Sequence, residues 1–328
     1  MQQILKIEGL KTVFESDEGV VKAVDGINFD LKRGQILGVV GESGCKKTVT
    51  ALSILQLIRP PKGKIVSGQI TYYYPDGRRV EITSLKPNSK EMRKIRGKEI
   101  SMIFQDPMMA LNPVLSVGEQ IMESLTLHHR ISKTEAREKA IKILEQVGIS
   151  AVGKRIDEYP HEFSGGMQQR VMIAITLCCA PSLVIADEPT TALDVTIEAQ
   201  ILDLIREEQK KNGLSVIMIT HYLGVVSEIT DSVIIIYARQ IVEHASTAEI
   251  INNPKHPYTK GLLQSRPQIG QKDQLVPIEG MVPNLTNLPE GCYFAPRCSQ
   301  AEDICYQQSP PTFILSSDQS VKCWLYNE

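Results

Sequence analysis

The chain has 328 residues, enough for two domains or for one core with sizeable insertions. At 42% hydrophobic and 23% charged residues it excludes long disorder and fibrous repeats. The 36 Lys and Arg against 38 Asp and Glu leave a formal charge of -2, which gives no sign of a general nucleic-acid-binding surface.

The segment from Ile4 to Leu31 alternates in polarity and carries turn signals at Glu18-Gly19 and Asp25-Gly26, which predicts antiparallel strands. An apolar run from Gln35 to Val40 ends at Gly41, and after a glycine-containing turn Val49 to Ile58 predicts a helix, giving strand, loop, helix. Ser116 to Gly148 reads as a helical insertion: Ser132 with Glu135 forms a capping box, Ala136, Ala140, Ile143 and Val147 hold one face, and Gly148 closes it. Three apolar runs follow, Leu183 to Ala186, Val216 to Ile219 and Val233 to Tyr237, the first two separated by a helical stretch from Ile197 to Gln209. Buried parallel strands with crossover helices give this pattern. From about Asn252 the chain turns Pro-rich, with Pro254, Pro257, Pro267, Pro277, Pro283 and Pro289, and a C-terminal extension is expected there. The apolar runs fall far short of the roughly 18 to 20 residues that span a bilayer. The N-terminal MQQILKIEGL lacks the layout of a secretory signal, so a cytosolic compartment is expected.

The loop after the first core strand reads G-E-S-G-C-K-K-T over 41–48, close to the phosphate-binding pattern G-x-x-x-x-G-K-[ST]. In such a loop backbone N–H groups and a helix N-terminus cradle phosphates, Lys47 reaches the β and γ phosphates, and Thr48 offers its hydroxyl to Mg²⁺. Lys46 stands where the second glycine belongs, and a long side chain there is expected to crowd the phosphates and weaken binding. Leu183 to Ala186 runs into Asp187-Glu188-Pro189, the form of a Walker B element in which the first carboxylate holds Mg²⁺ and the second polarises the attacking water. The bland alternative is a strand that happens to end in two acids. Phe163-Ser164-Gly165-Gly166-Met167 places Ser-Gly-Gly at a helix start, a second place where N–H groups meet phosphate. Ala192-Leu193-Asp194 follows the Walker B end, His221 stands directly after the strand Val216 to Thr220, and Gln105 precedes the helical insertion.

This ordered set resembles the ATP-binding subunits of ABC transporters over residues 4 to about 250. The resemblance implies an α/β fold with a RecA-like parallel sheet core, an antiparallel β subdomain and a helical insertion at about 106–165, together spanning 1–251, with the extension over 252–328. It implies an ATPase with Glu188, His221 and Gln105 as catalytic residues and Mg²⁺ held by Thr48, Gln105 and Asp187. ATP would be bound by Phe14, Gly41, Ser43, Gly44, Cys45, Lys46, Lys47, Thr48 and Val49, and by Ser164, Gly165, Gly166 and Asp194 across a head-to-tail pair of cassettes. Phe14 either stacks on adenine or belongs to the core; Cys45 reads as a small loop residue, and Cys178 with Cys179 as helix core.

A narrower resemblance comes from Asn253-Pro254-Lys255-His256-Pro257-Tyr258-Thr259-Lys260-Gly261-Leu262-Leu263 and from D-E-P-T-T-A-L-D-V-T over 187–196, which look like the oligopeptide/dipeptide (and nickel) importer ATPases of bacteria and archaea. Cys292, Cys298, Cys305 and Cys323 follow a C-x5-C-x6-C-x17-C spacing, wider than ordinary zinc knuckles. The subfamily implies a 4Fe-4S cluster on these thiolates, with zinc or uncommitted thiols as alternatives. It further implies a place at the cytoplasmic face of the cell membrane, with a second ABC ATPase subunit, two membrane-spanning permease subunits and, indirectly, an extracytoplasmic peptide-binding protein as partners, and no nucleic acid. Two other readings share the nucleotide motifs. One is a soluble ABC ATPase outside transport, whose usual coiled coils, tandem cassettes or basic tracts are not seen. The other is a non-hydrolysing regulatory cassette with an iron-sulfur sensor. The solute, whether dipeptide, longer peptide or nickel, contacts other subunits and leaves no mark in this chain.

Overall fold

The computed structural model describes residues 2–16, 19–42, 44, 45, 47–190, 193–265, 277–283 and 288–327. The chain divides into two compact units, each discontinuous in sequence. One comprises Met1–Ile4, Lys32–Gln35 and Ser84–Met218, the other Leu5–Leu31, Ile36–Thr83 and Ile219–Glu328.

The N-terminal elements are β1 (Gln3–Ser16), β2 (Gly19–Lys32), β3 (Ile36–Val40), α1 (Lys47–Ile54), β4 (Gly63–Tyr73) and β5 (Arg79–Glu81). A four-stranded sheet runs in the order β2-β1-β4-β5, with β4 antiparallel to β1 and to β5. The alternation of the sequence buries Leu5, Ile7, Ile70 and Tyr72 on these strands. Asp25-Gly26 is not the turn its composition predicts: β2 runs through it, with Gly26 at φ 71 and the Asn28 amide donating to the Gly26 carbonyl at 3.0 Å. A left-handed glycine bends a strand as readily as it turns a chain. Glu18 lies outside the described residues. Helix α1 stops at Ile54, short of the predicted Ile58, because Gln56 takes φ 48 and Pro60-Pro61 follow.

The first unit contributes α2 (Lys90–Lys94), β6 (Ile100–Ile103), α3 (Pro107–Ala110), α4 (Val117–His129), α5 (Lys133–Gln146), α6 (Val152–Arg155), α7 (Gly165–Leu177), β7 (Leu183–Asp187) and α8 (Val195–Asn212). Strand β6 lies parallel to β7, from Ile100 opposite Leu183 to Ile103 opposite Ala186, and every residue of β7 is buried. The helical insertion is two helices, α4 and α5, separated where Arg130 takes φ 52. Both start in full capping boxes, Ser116 with Glu119 and the predicted Ser132 with Glu135. Ala136, Ala140, Leu144 and Val147 are buried while the predicted Ile143 is only half-buried, since the 3.6-residue period carries the stripe from Ala140 onto Leu144. Gly148, at φ 75, ends the segment as expected.

After α8 come β8 (Ser215–Thr220), α9 (Leu223–Ile229), β9 (Ser232–Tyr237), β10 (Gln240–Ser246), α10 (Thr247–Asn252), α11 (Pro257–Gln264), α12 (Asp303–Gln307), β11 (Phe313–Ser316) and β12 (Gln319–Val321). In the second unit β3 lies parallel to β9, from Leu37 opposite Ser232 to Val40 opposite Ile235, and β9, β10, β12 and β11 continue antiparallel. The extension thus adds two strands beyond β10. It also places Phe294 in the same buried cluster as Val40, Ile235, Tyr237 and Tyr258. The Pro-rich texture suggests a segment with little core of its own; the structure gives it a share of the unit's main core instead. Among the described residues no helix is long and apolar enough to cross a membrane.

Candidate nucleotide site

In the second unit, β3 is buried along its whole length and delivers the chain at Gly41, and α1 starts at Lys47. A β-carbon on Gly41 would stand 2.3 Å from the Ile236 carbonyl oxygen, so only glycine lets the loop leave β3 this close to β9. Gly44 holds φ 87, and the Cys45 amide donates to the Glu42 carbonyl at 3.2 Å. Lys47 is buried, its ammonium donating to the carbonyls of Gly41 at 2.6 Å and Glu42 at 3.2 Å. Cys45 is buried beneath the loop, as a small loop residue should be, and burial pushes its thiol pKa up. Val49 is buried and Thr48 half-buried in the first turn of α1. Ser43 and Lys46 lie outside the described residues. Phe14 is half-buried on β1 opposite Gly63, and its ring leaves no room for a side chain there. His221 directly follows β8 and packs its ring against Tyr222 at 3.9 Å.

Two residues outside the nucleotide motifs, Tyr258 of the quoted 253–263 segment and Arg297, hold this loop. Tyr258, at the start of α11, accepts a hydrogen bond from the Glu42 amide at 2.9 Å. Arg297 donates to both Glu42 carboxylate oxygens, at 2.9 and 3.1 Å. Tyr258 is itself set by a latch around the quoted His-Pro-Tyr segment. The buried Glu243 carboxylate accepts from the Lys255 and His256 amides at 2.7 and 2.9 Å, and His256 Nδ1 accepts from the Tyr258 amide at 3.0 Å.

In the first unit, Asp187 ends β7 and is 2% exposed. Glu188 follows at φ 48, a left-handed conformation that an L-residue with a β-carbon adopts only where its surroundings enforce it, and strain of this kind gathers at functional sites. The Gln105 amide donates to Glu188 Oε2 at 3.1 Å, so the glutamine ahead of the insertion and the second acid of the Walker B end meet. Ser164 caps α7, its hydroxyl accepting from the Met167 amide at 3.4 Å, with Gly165 and Gly166 as the first helical residues. The N-terminus of this helix carries the partial positive charge that suits a phosphate. A β-carbon on Gly166 would touch Leu193 at 3.6 Å, so this turn abuts the segment ahead of Asp194. Asp194 caps α8, accepting from the Thr196 and Ile197 amides at 3.0 Å each. Ala192 lies outside the described residues. Cys179 is buried at the end of α7 and Cys178 half-buried beside it.

The four C-terminal cysteines line one small pocket together with His256 and Trp324. The Cys292 amide donates to the Cys305 carbonyl at 2.7 Å, and burial pushes the Cys323 thiol up to about 11. Among the described residues no three His, Cys, Asp or Glu side chains are arranged to hold a metal ion. The thiols share a cavity without being drawn together into a coordination shell.

Residues 24–191 match the ABC transporter family, and residues 242–305 match the oligopeptide/dipeptide transporter C-terminal region. The oligopeptide transport ATP-binding protein AppD of Bacillus subtilis (strain 168) is 48% identical, covering 100% of this chain and 98% of that protein. The dipeptide transport ATP-binding protein DppD of the same organism is 46% identical, covering 100% of this chain and 96% of its own. Among solved structures, the dimeric post-hydrolysis state of the ATP-binding cassette MJ0796 bound to ADP and Pi is similar at a TM-score of 0.66 and 25% identity, covering 74% of this chain and 99% of that one. This chain belongs to the ABC transporter family as an ATP-binding cassette ATPase, in the branch that carries the oligopeptide/dipeptide transporter C-terminal region.

Proposed function

We propose that this ATPase powers the import of di- or oligopeptides through a membrane ABC transporter. The observation that carries the reading is identity at 48% along the whole chain to a protein named for oligopeptide transport, reaching through the C-terminal region over 242–305 as well as the cassette. Within it, the loop at 41–49 receives the phosphates of ATP, with Lys47 as counter-charge, and Phe14 lies beside the adenine. Thr48, Asp187 and Gln105 are the residues that would hold Mg²⁺, which would supply neutralisation of phosphate charge. Glu188 orients and polarises the attacking water, and His221 holds the γ phosphate. Ser164, Gly165, Gly166 and Asp194 serve the ATP of a second cassette, a heterodimeric partner in this subfamily.

Two permease subunits complete the assembly at the cytoplasmic face of the membrane, and an extracytoplasmic peptide-binding protein feeds them. Met108 and Met109, 74% and 85% exposed just after Gln105, support a permease contact that reports on the γ phosphate. The side chains of Cys292, Cys298, Cys305 and Cys323 open onto one cavity beside His256 and Gln300, and they are the thiols that would hold a 4Fe-4S cluster if they closed together on it. Such a cluster would supply a cross-link within the extension.

The test is uptake of labelled di- and oligopeptides into proteoliposomes holding this chain with the permease subunits that co-purify with it. ATP-dependent peptide uptake supports the reading; uptake of nickel alone, or ATP turnover that no peptide stimulates, overturns it.

A further inference from the structure

The phosphate loop contains an acid, Glu42, directly after Gly41. A carboxylate so close to a polyanionic ligand opposes binding unless it is neutralised and turned aside. Arg297 does both: its side chain is 5% exposed and its guanidinium meets Glu42 in a two-pronged pair at 2.9 and 3.1 Å. The guanidinium has little freedom of its own. It also donates to the Glu279 carbonyl at 2.9 Å, the Ile278 carbonyl at 3.2 Å and the Tyr237 hydroxyl at 3.4 Å, and lies near the rings of Tyr237 and Phe294. The loop's backbone is held at the same residue by the Tyr258 hydroxyl, which accepts the Glu42 amide, and Tyr258 is wholly buried against Tyr237 at 4.7 Å and Phe294 at 5.4 Å. Side chain and main chain of one loop residue are therefore both gripped from the C-terminal extension.

We propose that Arg297 and Tyr258 are positioning residues of the nucleotide site, keeping the Glu42 carboxylate off the phosphates and the loop backbone in its receiving geometry. The inference rests on residues 41–48 being the ATP site, which ATP binding by the unsubstituted full chain tests separately. The competing view is that Arg297 only staples the extension to the core.

A cycle of full-length variants, Arg297→Gln, Glu42→Gln and the two combined, with Tyr258→Phe beside them, separates these views. A fluorescent ATP analogue reports affinity and thermal unfolding reports stability. Arg297→Gln should weaken binding about tenfold or more, because it leaves a carboxylate facing the ligand. Adding Glu42→Gln should restore affinity to within about threefold of the unsubstituted chain, since the repelling charge is then gone. Tyr258→Phe keeps the ring and loses the acceptor, and should weaken binding severalfold. Unchanged affinity in Arg297→Gln, or a double variant as weak as Arg297→Gln alone, overturns the proposal. If Arg297→Gln does not fold, Tyr258→Phe decides the matter, and wild-type affinity there overturns it.

Discussion

Gly41→Ala asks the most of the loop for the least change in chemistry. The new β-carbon would lie 2.3 Å from the Ile236 carbonyl oxygen. Ordinary carbon–oxygen contact begins near about 3.3 Å, so roughly 1 Å of movement is needed. Strand β9 cannot supply it, because it is paired to β3 on one side and β10 on the other. The loop must yield instead, against Lys47 bonded to the Gly41 carbonyl and against Arg297 and Tyr258 on Glu42. Overpacking of this size costs about 1 to 3 kcal/mol. If the displaced loop bears that cost on binding, affinity falls about five- to 150-fold. Titration with a fluorescent ATP analogue measures it, with Gly153→Ala on α6 as the control, since a β-carbon there meets nothing within 4 Å. Gly44→Ala should fall between the two: the space is open, but φ 87 is unfavourable for alanine. A Gly41→Ala chain with the affinity and melting temperature of the parent would refute the steric argument.

Glu188→Gln should lower kcat in the assembled transporter by about 10²- to 10⁴-fold while ATP affinity stays within about threefold, and full turnover would remove Glu188 from the mechanism. Glu188→Gly should lose activity alike yet melt higher, because it relieves the φ 48 backbone; a lower melting temperature would show that the side chain stabilises more than the dihedral costs. Burial pulls the His256 pKa down to about 3. The unfolded chain therefore takes up a proton near 6.5 that the fold refuses, and stability declines as pH falls below that value, by about 2 kcal/mol at pH 5. Glu243 works the other way, since burial raises its pKa and protonation then favours the fold. His256→Asn keeps an acceptor for the Tyr258 amide but does not titrate, so urea midpoints should show it losing about 2 kcal/mol less than the parent between about pH 7 and 5, and parallel losses would refute the account. Anaerobically purified protein should be brown, and a variant with serine at Cys292, Cys298, Cys305 and Cys323 colourless; a colourless parent carrying stoichiometric zinc would overturn the iron assignment.

The parts of the site legible in the sequence are those made by neighbours along the chain. A buried strand running into glycine and then a helix with Lys47 and Thr48, or an apolar strand ending in Asp187 and Glu188, is one local element whose geometry its own residues dictate. Capping is equally local, which is why Ser132 with Glu135 could be read directly. Strand β6 has four residues, too few for any period to stand out. Strand β12 depends on pairing with β10, and β11 on pairing with β12, rather than on their own pattern. Asp25-Gly26 carries the composition of a turn because a left-handed glycine serves turns and bent strands alike.

The grip on Glu42 was illegible for a different reason. Tyr258 and Arg297 lie 216 and 255 residues away from it, and neither belongs to a local pattern that points to phosphate. The cysteines around Arg297 draw attention to metal chemistry, yet it is the arginine between them that reaches the loop. Deleting the chain from residue 252 onward would remove β12 from the edge of β10, Phe294 from the core and both holds on Glu42. Loss of ATP binding on truncation could then follow from any of the three, and says nothing about which one matters. The point substitutions are informative because each leaves β12 and Phe294 in the chain: Tyr258→Phe takes only the acceptor, and comparing Arg297→Gln with and without Glu42→Gln isolates the pair from the other bonds that Arg297 makes. If ATP affinity follows those substitutions while the melting temperature does not, the extension acts on the nucleotide through one residue of the phosphate loop.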